Sequence, residues 1–361
     1  MRVAILGTGG IGLAAAALLR ANGHDPVLWR PTAKDDGQLA GQVQADGQLT
    51  GYYALTVART CADAVAGADV VFLAVPANGH RAVMDAALPH LAAGQVVVIS
   101  GHLSFGALYL SRGLSARGIR LPIVVWGTTV STGRRTGPST VHIGSIRAKV
   151  DIATVPAVDA EAGLSTCRAL FGERFVPRQD MIAVALSNLN PQNHLAIALC
   201  NLTRMERGET WFQYANTTDA VGRLIEALDT ERLAIADAFG VHVRTVREHF
   251  QLSFGLRPGA IGAMARELAA RGDSQAPATL ESRYVLEDAP FGLHCTALLG
   301  QLVGRPAILH AAGLAMLSAL YGRDLAGDND LLPAIDFSGL SAARLRALAR
   351  NGWEPATSEP D

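Results

Sequence analysis

Arg2-Val3-Ala4-Ile5-Leu6-Gly7-Thr8-Gly9-Gly10-Ile11-Gly12, running on into an Ala/Leu-rich stretch to Ala21, decides how this 361-residue chain is read. Residues 2–6 have the composition of a short strand and residues 11–21 that of a helix. Between them Gly7, Gly9 and Gly12 spell G-x-G-x-x-G, in the strand–turn–helix context that its mechanism requires. Gly7 permits a tight turn, Gly9 leaves room for a pyrophosphate against the backbone, and Gly12 lets helix and strand pack closely. The backbone around Thr8, Gly10 and Ile11, at the positive end of the helix dipole, then favours phosphate. An apolar N-terminus can imitate an export signal, but the glycine spacing accounts for this one better.

Working outward, apolar runs alternate with helical ones. Pro26–Trp29 reads as a second strand, Ala62–Ala66 as a short helix, and Ala68–Val75 (ADVVFLAV) as a strand buried on both faces. A helix over His80–Leu91 and strands over Gln95–Ser100, Ile119–Trp126 and Ile143–Thr154 follow. Such alternation implies a parallel sheet. Beyond about residue 178 helical periodicity takes over, with helices expected near 182–206, 213–239, 242–253, 258–271, 293–304 and 306–321. The expected fold is an α/β Rossmann-like dinucleotide-binding domain over 1–177, then an all-α domain over 178–350. A polar tail over 351–361 is expected to lack regular structure.

The second strand carries a cofactor preference. An NAD site usually has an acidic residue about 20 residues after the glycines, for the ribose 2′-hydroxyl. Here Trp29-Arg30-Pro31 stands there, with Lys34 close behind. A forked guanidinium suits a 2′-phosphate, so NADP(H) is preferred; Asp35 and Asp36 keep NAD(H) open. Val75, Pro76 and Asn78 end one buried strand and Ser100 and His102 the next, where open α/β sheets bind ligands. Ordinary turn chemistry is the plainer use of these residues, above all of His102.

Composition excludes other classes. A net charge of −1 argues against a nucleic-acid surface. No apolar stretch of about 18 residues is free of polar breaks; Leu298–Tyr321 contains Gln301, Arg305 and His310, so no membrane span is read. Cys61, Cys167, Cys200 and Cys295 form no CxxC pair, which disfavours a zinc site or disulfide framework and fits a cytoplasmic setting.

Two segments crowd polar residues into apolar surroundings in the helical half. One is Ser187-Asn188-Leu189-Asn190-Pro191-Gln192-Asn193-His194. The other, Glu281 to Leu293, contains RYVLEDAPFGL from Arg283 onward. With the glycine motif and residues 227–240 (ALDTERLAIADAFG), these segments give the chain its resemblance to the octopine/nopaline (opine) dehydrogenases over most of its length. The resemblance implies NAD(P)H-dependent reductive joining of an α-keto acid to an amino acid or amine, with small molecules as partners. By position it implies that His194 is the catalytic histidine, Asp288 its carboxylate partner and Arg283 the arginine near the substrate carboxylate, with Asn190 beside the substrate. The family's histidine is usually followed by proline; here Leu195 takes that place.

The chemistry suits those roles. Imine reduction needs a proton donor at nitrogen while hydride reaches carbon, and a carboxylate both orients an imidazole and favours its protonated form. Plainer uses exist: His194 as a satisfied core group, Asp288 as a helix N-cap, Arg283 as a surface partner of Glu281 or Glu287. Glu206, Trp211, Phe212 and Tyr214 fit an amine pocket or a helix–helix core equally well.

Ketopantoate-reductase-like enzymes share the two-domain plan but resemble one another in using a lysine from the second domain. The lysines here are Lys34 and Lys149, both in the first half. A carbonyl or imine reductase using His194, or a non-catalytic NADP(H) sensor, are the other readings. The apolar helix from Pro306 to Tyr321 is expected to cover a subunit interface if the chain dimerises.

Overall fold

The run that opens the chain forms strand β1 (Arg2–Leu6) and helix α1 (Gly10–Ala21). The structure, a computed structural model, describes residues 1–31, 39 and 41–354. They divide into two units: Met1–Ala185 with the segment from Ala343 onward, and Leu186–Ala342. The first unit continues with β2 (Asp25–Trp29), β3 (Gln42–Gly47), β4 (Gly51–Ala54), β5 (Thr56–Val57), α2 (Cys61–Val65), β6 (Val70–Leu73) and α3 (His80–Ala87). Then come β7 (Val96–Ile99), α4 (Gly106–Ala116), β8 (Ile123–Trp126), β9 (Ser131–Gly137), β10 (Thr140–Ile146), β11 (Val150–Val155), α5 (Ala160–Phe171), β12 (Phe175–Pro177) and α6 (Met181–Ser187).

Among the described residues the main sheet has eight strands, ordered β12-β11-β8-β7-β6-β1-β2-β5. From β8 to β5 every pairing is parallel, whereas β11 runs antiparallel to β8. Strands β1, β6 and β8 are buried nearly throughout, as a sheet covered on both faces requires. β1 sits where the strand order reverses, the switch point at which such sheets bind dinucleotides. Leu6 is in register with Trp29 and Leu73, and Leu73 with Ile99. These strands therefore end level, and Gly7, Arg30, Ala74 and Ser100 follow at one edge.

The sequence reading does not anticipate a second sheet, β4-β3-β10-β9. Its strands are short and polar, and β9 (STGRRTG) has no apolar alternation to betray it. β3 pairs in parallel with β10 from about a hundred residues away, a pairing that local pattern cannot show. The sheet explains why α1 is apolar almost all round: α1 contacts β1 and β2 on one side and β9, β10, β3 and β4 on the other. The approach is close. A Cβ on Gly10 would lie 2.1 Å from the Gly133 carbonyl oxygen, and one on Gly133 would lie 2.2 Å from that of Gly10.

In the second unit α7 (Asn190–Glu206), α8 (Asp219–Phe239), α9 (Val246–Phe254) and α10 (Ile261–Arg271) precede α11 (Arg283–Leu286) and a π-helical turn at Ala289–Leu293. Helices α12 (His294–Leu302), α13 (Ile308–Tyr321) and α14 (Leu331–Ala334) complete it. The core includes Leu195, Ile197, Ile225, Leu228, Phe250, Met264 and Leu317, each such side chain contributing about 1.5–3 kcal/mol of burial. Capping sets the boundaries that periodicity left loose. Thr218 caps α8, so the helix expected from 213 begins at 219, and a Thr245–Glu248 capping box starts α9.

Three expectations need correction. The first compact unit runs through Ala185, eight residues beyond the boundary expected at 177, and α6 straddles the break. The segment from Ala343 also belongs to the first unit instead of extending the second to 350. It carries helix α15 (Ala342–Asn351), whose Leu345, Leu348 and Ala349 are buried. The tail expected from 351 is ordered at its start: Trp353 lies between the guanidinium groups of Arg112 and Arg344, 5.2 and 5.5 Å from its ring, and its amide donates to Ser111 Oγ at 2.9 Å. Among the described residues no helix is long and apolar enough to cross a membrane.

Candidate active site

The dinucleotide cradle is built in the first unit. Gly7 has φ +131°, and a Cβ there would lie 2.5 Å from the Ala74 carbonyl oxygen; one on Gly12 would lie 2.0 Å from that of Gly7. Both glycines are therefore needed by the turn itself. Gly9 differs, because a Cβ there meets nothing within 4 Å. That space is of the kind the glycine motif leaves for a pyrophosphate, and no side chain caps α1 to occupy its first amides.

The strand ends supply the rim. Gly7 N donates to Trp29 O at 2.8 Å, Ala74 N to Leu6 O at 2.9 Å and Ser100 N to Leu73 O at 3.1 Å. Thr8 is buried and Ile11 and Arg30 are half-buried; after β6, Val75 and Pro76 lead into a 3-10 turn at Ala77–Gly79 that contains Asn78, with Pro76 and Asn78 exposed. Ser100 Oγ is buried and takes no hydrogen bond among the described residues. Open amides, an empty space at Gly9 and an unpartnered hydroxyl at the edge suit a nicotinamide dinucleotide. Lys34, Asp35 and Asp36 lie outside the described residues.

Two histidines brace this edge, one of which the sequence reading passed over. His80 Nε2 donates to Val75 O at 3.1 Å, pinning the turn after β6. His102 Nε2 accepts from Ala107 N at 3.3 Å, so its proton sits on Nδ1 and the ring serves the start of α4. Burial pushes their pKa values down to about 4 and about 3. Just after His102, Ser104 and Phe105 adopt left-handed conformations with φ 47° and 54°, costly for residues with a Cβ. His102 thus has the structural use that the sequence suggested.

The second unit brings together the remaining predicted residues. His194 lies one turn into α7, and Asp288 stands between α11 and the π-helical turn. His194 Nδ1 and Asp288 Oδ2 are 2.6 Å apart, with Asp288 fully buried and His194 8% exposed. An acceptor-only carboxylate at Nδ1 fixes the proton there and leaves Nε2 for a ligand. Among the described residues no group takes Nε2. Asp288 makes no N-cap hydrogen bond, so the plainer use of that residue is not realised.

Arg283 Nε donates to Glu287 Oε2 at 2.9 Å, and its Nη2 lies 4.0 Å from Asp288 Oδ2. The side chain is more than half exposed, so a guanidinium edge not taken by Glu287 can meet an anion. Asn190, the first residue of α7, is half-buried one turn before His194. Leu195, at the family's proline position, is fully buried, and Gly313 admits it: a Cβ on Gly313 would lie 2.4 Å from Leu195 Cδ2.

Residues the sequence did not single out hold this arrangement. Asp229 accepts from Gln192 Nε2 at 3.0 Å, Arg232 Nη2 at 2.7 Å and Val246 N at 2.8 Å, tying the start of α7 to α8 and α9. Arg232 also donates to the carbonyls of Leu186 and Arg244. The signal was visible: Asp229 and Arg232 stand three apart, hence on one helix face, within the 227–240 stretch. Tyr284 stacks on His194, with ring centroids 3.6 Å apart and 9° between the planes. Its hydroxyl donates to Gln213 Oε1 at 2.6 Å, and burial, aided by Tyr214 and Asp288, pushes its pKa up to about 12. Trp211 is buried with Nε1 donating to Pro277 O, which makes it core; Phe212 is 47% exposed. Among the described residues no cluster could hold a metal ion.

Residues 177–321 match the family model described as NAD/NADP octopine/nopaline dehydrogenase, alpha-helical domain. Residues 2–132 match that of the NAD-dependent glycerol-3-phosphate dehydrogenase N-terminus. The opine dehydrogenase of Arthrobacter sp. (strain 1C) is 31% identical over 353 residues, which span 95% of this chain and 97% of the relative. Among solved structures, octopine dehydrogenase in complex with NADH and agmatine superposes with a TM-score of 0.79 at 16% identity, over 96% of this chain and 97% of the other. Yersinopine dehydrogenase with NADP+ bound gives 0.69 at 17% identity, over 97% and 98%. At these identities the superpositions speak to the fold.

Proposed function

The chain belongs to the opine dehydrogenase family, and from that premise we propose how its own residues carry out the reaction. It is an NAD(P)H-dependent oxidoreductase that reductively condenses an α-keto acid with an amino acid or amine through an imine. When bound, the nicotinamide supplies the hydride that reduces the imine carbon. His194 delivers the proton that the nitrogen needs, from Nε2, while Asp288 holds Nδ1 and offsets the imidazolium charge. Arg283 takes the keto-acid carboxylate on its exposed edge, and Asn190 lies beside the substrate. Residues 7–12, with Val75, Pro76, Asn78 and Ser100, hold the cofactor, and Arg30 with Lys34 favours the 2′-phosphate of NADP(H) over NAD(H).

The single observation that carries this reading is the buried 2.6 Å contact between His194 and Asp288, residues 94 apart in sequence. The helical unit contains no lysine, which disfavours ketopantoate-reductase chemistry. The reading extends to a cytoplasmic homodimer. Its supports are the exposed apolar residues Ile308, Met316 and Leu320 on α13 and the absence of disulfides among the four cysteines.

NADPH and NADH oxidation followed with a keto-acid panel, with and without amines, tests it. Consumption only when both substrates are present supports condensation. Consumption with the keto compound alone makes the chain a carbonyl reductase, and binding without consumption makes it a sensor.

A further inference from the structure

We propose that Tyr284, anchored by Gln213, is the positioning residue that sets the plane of the His194 ring. The inference rests on the reading of His194 as proton donor. A single hydrogen bond from Nδ1 to Asp288 holds one edge of the imidazole and restrains rotation about Cβ–Cγ, but the bond itself tolerates tilting of the ring. The phenol face, 3.6 Å away and 9° from parallel, limits that tilt. It also covers one face of the ring, while Asp288 occupies the Nδ1 edge. A tyrosine face, moreover, attracts a cationic ring more strongly than a neutral one, which suits a proton donor.

The restraint is itself restrained. Tyr284 N donates to Ser282 Oγ at 3.2 Å, and the phenol hydroxyl donates to Gln213. Gln213 in turn sits in a segment tied to residues 273–276. Its amide donates to Ser274 O at 2.8 Å, and Asp273 accepts from the amides of Tyr214 and Ala215 at 2.9 and 2.7 Å. The hydroxyl bond, which any largely buried tyrosine needs, here also fixes the ring that lies on His194. The site gains from it because proton delivery is geometrically demanding: a misplacement of about 1 Å costs roughly 10²-fold in rate.

The test compares Tyr284→Leu, Tyr284→Phe and Gln213→Leu, with folding checked by circular dichroism and Tm. Tyr284→Leu is expected to lower kcat about 30–100-fold, with KM for both substrates within about 3-fold. Tyr284→Phe keeps the stack and is expected to recover most of that loss, with Gln213→Leu close to it. Independently of turnover, the His194 Hε1 proton, assigned by its disappearance in His194→Gln, is expected upfield in the native protein and in Tyr284→Phe. In Tyr284→Leu it is expected near its ordinary position. Native kcat in Tyr284→Leu, or an unmoved resonance, overturns the proposal. A resonance that moves as expected, in a protein that condenses no keto acid with any amine, supports the stack and refutes the reaction assignment.

Discussion

Replacing Asp288 by asparagine keeps the shape of the side chain and removes its charge, so it isolates what the carboxylate does for His194. The hydrogen bond is 2.6 Å long and charge-assisted, and Asp288 is fully buried, where water does not screen it. Such bonds contribute about 1.5–3 kcal/mol, or roughly 10–150-fold in rate at 1.36 kcal/mol per decade. The full burial places the expectation toward the upper end, a fall in kcat of about 100-fold. KM for the keto acid is expected to change by less than about 3-fold, because Arg283 keeps its bond to Glu287. The dissociation constant for NADPH, read by fluorescence, should stay within about 2-fold, since the glycine turn belongs to the other unit. Tm is expected to fall modestly, since the lost charge-assisted bond is only partly offset by the cheaper burial of a neutral amide where Oδ1 of Asp288 has no partner. Steady-state kinetics with both substrates saturating, beside a Tm measurement, decides the matter. A folded Asp288→Asn protein with kcat within about 3-fold of native would refute the pairing as a catalytic device.

Gly9→Ala is expected to leave Tm unchanged, since its Cβ meets nothing, yet to weaken cofactor binding by tenfold or more; Gly12→Ala should destabilise the fold by colliding with the Gly7 carbonyl. Calorimetry beside fluorescence titration separates the two, and equal effects on Tm would remove the cofactor reading of Gly9. Arg30→Ala should raise the dissociation constant for NADPH by about 10–100-fold, at 1.5–3 kcal/mol for a charge-assisted contact, and scarcely alter that for NADH. A parallel loss for both cofactors would show that Arg30 reads no 2′-phosphate. His80 and His102 are buried with pKa values pushed from 6.5 down to about 4 and about 3. The unfolded chain therefore binds protons that the folded chain refuses: stability is full above about pH 6.5 and falls as pH drops toward those values. By pH 5 the combined loss is on the order of 4 kcal/mol, above the range where carboxylates titrate. A urea midpoint flat from pH 7 to 5 would contradict this.

What the sequence showed, it showed through local pattern. The glycine turn, the buried strands around β1 and the helix-rich second half all appear in short windows. His194 and Asp288 were legible only because two polar clusters interrupt apolar helices and match a family pattern; nothing in their spacing brings them together. The second sheet escaped notice because its strands are polar and β3 finds its partner β10 far along the chain. Tyr284 escaped for a related reason. A tyrosine beside an arginine in a short helix is ordinary until its ring is seen lying on an imidazole from another helix. Capping threonines at 218 and 245 moved helix starts by several residues, the usual error of periodicity without end signals.

The return of α15 to the first unit has a practical consequence. The chain leaves that unit after Ala185 and comes back at Ala343, so the helical unit is, topologically, an insertion with two seams. Cutting at the first seam does not liberate the cofactor-binding half, because Leu345, Leu348, Ala349 and the clamped Trp353 would be left behind. Residues 1–185 expressed alone should therefore be sticky and poorly soluble. The same residues joined by a linker to the segment from Ala343 should yield a stand-alone nucleotide-binding protein.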